Sequence, residues 1–400
     1  MDTSTPAPAR RLDWLDNLRI ALIALVVVHH AAQAYGPADW WYVENQPRTS
    51  VLGTLSAFDG AFFMSLFFFI SAYFVPASYD RRGGRPFLTG RLKRLGIPVV
   101  VGALTLVPGL MYAYYVRYRD YPAISFPRYF TDVYLGLGEE PADWSGPSWP
   151  DLQFGHLWFI QNLLAYSVLY LLCRQAARLL HRRRPRPRPR TGARPARGPV
   201  PGHGSLVLLT VAVTAATFAI RLHYPLDEWI PFLDFIQVEP ARVAQYATFF
   251  ALGIVAFRQD WLNRLPARVG WIWLGTGAAL TAVLFAVGSD AGFFGPGGAN
   301  GPSLLWSAYE SALCTALITG LLVLFRERLT AGNRLSRAAS SASYTVYIVH
   351  VPVVVALQLA LSGSGLQAPL SFGLVAALAL LISFPLADRI RRLPAFRRVL

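Results

Sequence analysis

Ten apolar runs of about twenty residues each, separated by short charged connections, constrain this chain more than any other feature. They lie near 18–35, 56–78, 95–116, 157–175, 205–221, 241–258, 270–288, 303–325, 342–361 and 368–388. Each is long enough to cross a hydrocarbon layer of about 30 Å as an α-helix. Inside such a layer the backbone must satisfy its own hydrogen bonds, and a helix does so within one segment. A chain of 400 residues that is 54% hydrophobic and only 15% charged is too apolar for a soluble domain of this size. The expected fold is all-α, a polytopic membrane protein of about ten transmembrane helices forming a single domain over residues 1–400.

The charges of the connections test that count. Basic residues gather after span 2 (Arg81, Arg82, Arg85, Arg91, Lys93, Arg94), span 4, span 6 (Arg258, Arg264, Arg268) and span 8 (Arg326, Arg328, Arg334, Arg337), and at both ends of the chain. The alternate connections are acidic or nearly uncharged, with Asp227, Glu228, Asp234 and Glu239 in 222–240 and Asp290 alone in 289–302. The positive-inside rule then places both termini in the cytoplasm. A missed or extra span would scramble the alternation. The net charge of +15 resides in these short loops, so it does not point to nucleic acid. The first apolar run contains Gln33 and two histidines and ends at no small-residue cleavage site, so it is expected to be a retained span. Cys173 and Cys314 have no metal-ligand spacing and no disulfide framework; no metal is expected.

Two connections stand out. Residues 181–204, HRRRPRPRPRTGARPARGPVPGHG, are expected to be a disordered basic cytoplasmic linker between spans 4 and 5, since repeated Arg-Pro favours an extended, solvated backbone. Contact with anionic membrane lipids is the second reading. Residues 117–156 are rich in Tyr, Trp, Pro and Gly. Most of those aromatics are expected in an interfacial belt, with stacking on a sugar as the alternative. No connection is large enough for a soluble catalytic domain, so any chemistry lies in the membrane or at its surfaces.

Polar groups inside spans are costly and therefore candidates for function. Arg19 and His30 are eleven residues apart, which puts them on one face of span 1, about 16 Å apart along its axis. His29 points about 80–100° away. A positioned imidazole suits general base work; a packing hydrogen bond to another helix is the competing reading. In FLTGRLKRLGIPVV (87–100), Arg91 and Arg94 fall at i, i+3, a pair able to grip phosphates or simply to flank a span. In SASYTVYIVHVPVVV (341–355), Tyr344, Tyr347 and His350 share one side of span 9, and Pro352 is expected to bend it, its freed carbonyl being satisfied locally. Asp59 and Glu310 are carboxylates able to orient a histidine or balance an arginine. Trp158, Gln161 and Asn162 are expected to line a cavity.

Taken in order, these pieces resemble the acyltransferase-3 family of integral-membrane acyltransferases. The family's Arg or Lys, ten residues and His matches Arg19 and His30 but not His29. FFFISAYF stands for its FFxxSG span, RLKRLGIP for its R-x-x-R pair, HLWFI for its LWF motif and SYTVYIVH for its late SYxxYxxH segment. Ala72 departs from the pattern where the family has glycine after Ser71. The resemblance covers nearly the whole chain and is similar to the compact branch, without an extracytoplasmic domain, that includes glucan-modifying succinyltransferases.

The resemblance implies transfer of an acetyl, succinyl or similar acyl group from acyl-CoA to a hydroxyl of an exported carbohydrate, in a bacterial inner membrane. It also implies roles. Arg91 and Arg94, helped by Arg19, meet the phosphates of coenzyme A. His30 is the base. His350, Tyr347 and Glu310 orient the acceptor or relay its proton, and Trp158, Asn162 and Asp59 bind the acceptor. Direct transfer and a covalent acyl-enzyme both remain open. Buried His, Glu and Arg also mark proton-coupled transporters and flippases, but the halves of this chain carry no internal repeat of the kind transporters often have. A lipid-binding scaffold would leave His30 unexplained.

Overall fold

The computed structural model describes residues 12–37, 40–44, 48–144, 146, 154–182, 198–394, 396–397 and 399. Among the described residues ten helical segments are long and apolar enough to cross a membrane: Asp13–Ala32, Ser50–Arg82, Gly84–Tyr118, Gly155–Leu180, His203–Arg221, Pro240–Gln259, Ala267–Val287, Gly301–Arg328, Arg334–Leu361 and Ala368–Arg392. They are spans 1 to 10. Span 1 is the centre of the bundle. Its buried residues, among them Leu15, Leu18, Leu22 and Val26, face spans 2, 8, 9 and 10. Span 6 packs on spans 2 and 5, and span 8 on spans 5 and 7. Spans 5 and 7 present Val207, Leu208, Val211, Ile272 and Val283 outward, where lipid would lie. One end of the bundle gathers the arginine-rich connections and is called the basic end below; the other is the far end.

The Arg/Pro-rich linker expected at 181–204 is shorter at both edges. The span 4 helix continues to Arg182 and span 5 begins at His203. Residues 183–197 lie outside the described residues.

Two spans are irregular where the sequence requires it. Span 2 breaks after Gly60, and a second helix starts at Phe63. A broken helix leaves backbone carbonyls without partners. Span 6 supplies them: Arg242 Nη1 donates to Gly60 O at 2.8 Å, and Gln245 Nε2 donates to Ala61 O at 2.7 Å. Lower down, Ala72 meets span 6 at Gly253, where an added Cβ would come within 2.9 Å of the Ala72 methyl and 2.3 Å of Phe69 O. The small residue that lets these helices approach stands on span 6, as Gly253, against the Ala72 methyl.

Span 3 is 35 residues, about 52 Å, and so outruns the hydrocarbon layer. Its surplus at the far end is clad by the segment after it. Tyr112 OH donates to Ile124 O at 2.9 Å, Tyr115 OH to Pro122 O at 3.0 Å, and Tyr134 OH returns to Ala103 O at 2.6 Å. The Tyr115, Tyr121 and Trp144 rings pack together, and Tyr129 is buried against Tyr112 and Tyr115. These aromatics pack on one another and on span 3 as a small cluster.

Between spans 5 and 6 the far-end connection forms a hairpin, β1 (Ile230–Phe232) against β2 (Ile236–Val238). Its tip carries Leu233 and Asp234 in the left-handed region, at φ 54° and 61°.

Candidate active site

The site is assembled around two prolines. Proline has no N–H, so each leaves the carbonyl four residues earlier without its helical partner. Pro352 in span 9 frees Ile348 O, and His156, at the start of span 4, donates to it from Nε2 at 2.9 Å. Pro98 in span 3 frees Arg94 O; the turn just before it, Leu92–Gly96, is a π-helix, a wider coil than the α-helices on either side. Tyr344 OH donates to Arg94 O at 2.5 Å. The freed carbonyl of span 9 is thus satisfied from another span, not locally, and a second one in span 3 follows the same rule.

The side of span 9 that carries Tyr344, Tyr347 and His350 therefore joins three motifs. Tyr344 meets the R-x-x-R turn, Tyr347 OH donates to His156 O, and His350 Nε2 lies 3.0 Å from His30 Nδ1. From Tyr344 to His350 the axial rise is six residues, about 9 Å.

The hydrogen bonds fix the protons on the histidine pair. His350 Nδ1 faces only carbonyls, Tyr347 O at 2.8 Å and Val346 O at 3.1 Å, so it carries the hydrogen. Its Nε2 then accepts. His30 Nδ1 faces that nitrogen and Val26 O at 2.9 Å, so it too carries the hydrogen. In the neutral ring this leaves the lone pair on His30 Nε2, which bonds no side chain or backbone group among the described residues. The His30 ring stacks on Trp41, at 5.4 Å between centroids. Trp41 is itself tied down, Nε1 to Gln358 Oε1 at 2.7 Å, while Gln358 Nε2 reaches the terminal carbonyls of span 1, His30 O and Ala31 O. His30 is thus half-buried near the far end of span 1, about 25 Å from its start at Asp13.

His29 has different surroundings. Its Nδ1 donates to Asp59 Oδ1 at 2.7 Å, and Gln33 Nε2 lies 3.1 Å from its Nε2. Gln33 also reaches Ser56 in span 2. Both ring nitrogens are engaged, so of the two neighbours His30 is the one left with a free lone pair. Asp59 is fully buried at the break in span 2 and orients His29 rather than His30.

Of the three predicted phosphate ligands, Arg91 and Arg94 share the turn before Pro98 in span 3, and Arg19 is on span 1. Arg94 is exposed, with its guanidinium 5.6 Å from the Tyr344 ring centroid; Arg91 is half-buried over Phe87 at 5.4 Å. Arg19 forms an ion pair with Asp16 at 3.6 Å.

Several expectations are corrected. Glu310 takes the second of its two expected parts: it balances arginines and does not stand with the histidines. Its two carboxylate oxygens are taken by Arg221 and Arg242, the latter at 2.6 Å, and Arg242 also holds Glu239 at 2.9 Å. Both members of the Arg221–Glu310 pair are essentially without solvent contact, and two arginines balance two carboxylates. Burial pushes the Glu239 carboxyl up, against the pull of Arg242. Asn162 and Gln161 act as staples: Asn162 Nδ2 donates to Trp158 O and Gln237 O, Gln161 donates to Phe235 O and accepts from Gln237 N. They hold the hairpin on span 4, so the amide hydrogens of Asn162 are not offered to a cavity. Trp158 packs between Tyr246 and Trp229. Tyr347 gives its hydroxyl hydrogen to backbone, so it has no proton left to relay.

Sequence reasoning did not single out His156, Trp41, Gln358, Arg221 or Arg242. The signal for His156 was present: a proline in span 9 demands a donor for Ile348 O, and HLWFI offers an imidazole at a helix start. Among the described residues no group of three or more His, Cys, Asp or Glu side chains is placed to hold a metal ion.

Fold and site together define a multi-pass helical membrane protein with a paired imidazole near the far end of its central helix and a basic turn about 9 Å along the neighbouring span. Residues 12–388 match the acyltransferase domain of the acyltransferase-3 family, and the chain belongs to that family. Among characterised proteins, glucans biosynthesis protein C of Escherichia coli (strain SMS-3-5 / SECEC) is 28% identical over 167 residues, 41% of this chain and 39% of that protein. The same protein of Escherichia coli (strain K12) is 27% identical over 167 residues. The chain thus spans about two fifths of the length of the curated relatives it matches. No solved structure matches it.

Proposed function

We propose that this protein moves an acetyl, succinyl or similar acyl group from acyl-CoA to a hydroxyl of a carbohydrate or other exported acceptor, in a bacterial inner membrane with its basic end toward the cytoplasm. The observation that carries the reading is the free lone pair on His30 Nε2, held in that tautomer by Val26 O and His350. In the proposed step His30 Nε2 takes the proton of the acceptor hydroxyl as its oxygen attacks the thioester carbonyl. The C–S bond breaks, and the departing thiolate takes the proton back from His30. While His30 is an imidazolium, its Nδ1–H bonds to Val26 O and His350 Nε2 strengthen, because the donor is charged.

Direct transfer is favoured over a covalent acyl-enzyme. A covalent route needs a hydroxyl or thiol nucleophile beside a base, and among the described residues no serine, threonine or cysteine hydrogen-bonds a ring nitrogen of His30. The coenzyme A phosphates are assigned to Arg91 and Arg94, with the thioester extending along the Tyr344, Tyr347, His350 side of span 9. The exported carbohydrate is the acceptor class closest to the name of the glucan-biosynthesis relatives.

The test is mass spectrometry of surface glycans and secreted metabolites from cells carrying the gene, lacking it, or carrying His30→Ala. An acyl mass increment that appears with the native gene alone is expected. An identical acyl pattern in the native and His30→Ala cells would refute the base assignment.

A further inference from the structure

We infer that His156 Nδ1 is the hydrogen-bond acceptor for an amide N–H of the acyl donor's pantetheine arm. The inference rests on the acyl-CoA reading and adds a binding residue to it. His156 is 6% exposed, and its Nε2–H is committed to Ile348 O. The neutral ring therefore has its lone pair on Nδ1, and that atom is buried without a hydrogen-bond partner among the described residues. A buried acceptor left unpaired is costly, so the place calls for a donor. Tyr347, the nearest hydroxyl on span 9, gives its hydrogen to the His156 carbonyl instead.

The position identifies the donor. Along span 9 the order is Tyr344 at the R-x-x-R turn, Tyr347 and Ile348 at His156, and His350 at His30. The His156 and His350 rings meet edge to face at 5.3 Å, and the His350 and His30 rings are tilted on each other at 4.9 Å. A molecule with its phosphates at Arg91 and Arg94 and its thioester at His30 must pass His156. Phosphates and the thioester do not donate; along the arm the donors are one hydroxyl, close to the phosphates, and two amides nearer the thioester, and His156 stands beside the His350–His30 pair, at the amide end.

The experiment measures equilibrium binding to the full chain in detergent, by calorimetry, with two probes. Coenzyme A has the arm; adenosine 3′,5′-bisphosphate has the nucleotide phosphates and no arm. His156→Gln keeps an N–H where Nε2 stood, and so the bond to Ile348 O, but offers nothing at Nδ1. It is expected to bind coenzyme A about five- to tenfold more weakly than the native protein, the measure of one hydrogen bond, and the bisphosphate equally well. Where His156→Gln fails to fold, Pro352→Ala with His156→Ala replaces it, because an alanine in place of the proline returns an N–H to Ile348 O. It is compared with Pro352→Ala alone, and the same selective loss is expected. Equal coenzyme A affinity with and without the imidazole, or equal weakening toward both probes, overturns the inference and leaves the donor reading standing. A native protein that binds no coenzyme A refutes the donor reading and this inference with it.

Discussion

The hydroxyl of Tyr344 allows a quantitative test of how the motifs interlock. Tyr344→Phe removes the donor that Pro98 makes necessary at Arg94 O, while the ring under the Arg94 guanidinium stays. The bond lies at the exposed basic end, so its loss costs about 1 kcal/mol, the worth of an ordinary hydrogen bond. In a Pro98→Ala background residue 98 regains an N–H, and the helix satisfies Arg94 O by itself. There Tyr344→Phe is expected to cost little. The coupling between the two substitutions is then about 1 kcal/mol, a factor of about 5 in the unfolding equilibrium. The assay is reversible unfolding of the four proteins (native, two singles, double) in mixed micelles of increasing denaturing detergent. Equal cost of Tyr344→Phe in both backgrounds, within about 0.5 kcal/mol, refutes the claim that the hydroxyl is there to satisfy the carbonyl Pro98 frees.

Other outcomes follow from the same geometry. His30→Ala should leave a folded, membrane-inserted protein with transfer reduced about 10²–10⁴-fold, the usual contribution of a general base; a turnover assay with acyl-CoA and acceptor reads it. Arg91→Ala combined with Arg94→Ala should weaken acyl-CoA binding in detergent, and unchanged binding would reduce both to arginines that set topology. Glu310→Ala strands the buried Arg221, while Arg242 keeps Glu239, and should destabilise by about 3–5 kcal/mol, seen as a lowered melting temperature; a variant that melts normally but loses transfer would return Glu310 to the chemistry.

Much of this protein could be read from its residues in order. The ten spans, the basic connections and the shared faces of Arg19 with His30 and of Tyr344 with His350 follow from length, hydropathy and a 3.6-residue period. Those quantities are local, and a membrane makes them unusually decisive because each span must be apolar and internally bonded. The choice of His30 over His29 began as a spacing and now has a physical ground, since the nitrogens of His29 are occupied by Asp59 and Gln33.

What sequence alone could not set is which distant polar groups find each other. Glu310 is 89 residues from Arg221 and 68 from Arg242, Asn162 meets a hairpin 75 residues away, and His156 reaches a carbonyl 192 residues on. Helical period places a side chain on a face but not opposite a partner, so Glu310 was open between a histidine and an arginine, and Asn162 looked like a cavity wall. The sequence by itself determined a ten-span membrane bundle, its basic end and the in-span prolines, Pro352 among them, that free carbonyls. Tertiary structure alone decided which side chains claim those carbonyls. Desolvation compels every buried donor and acceptor to be matched, but packing chooses the match.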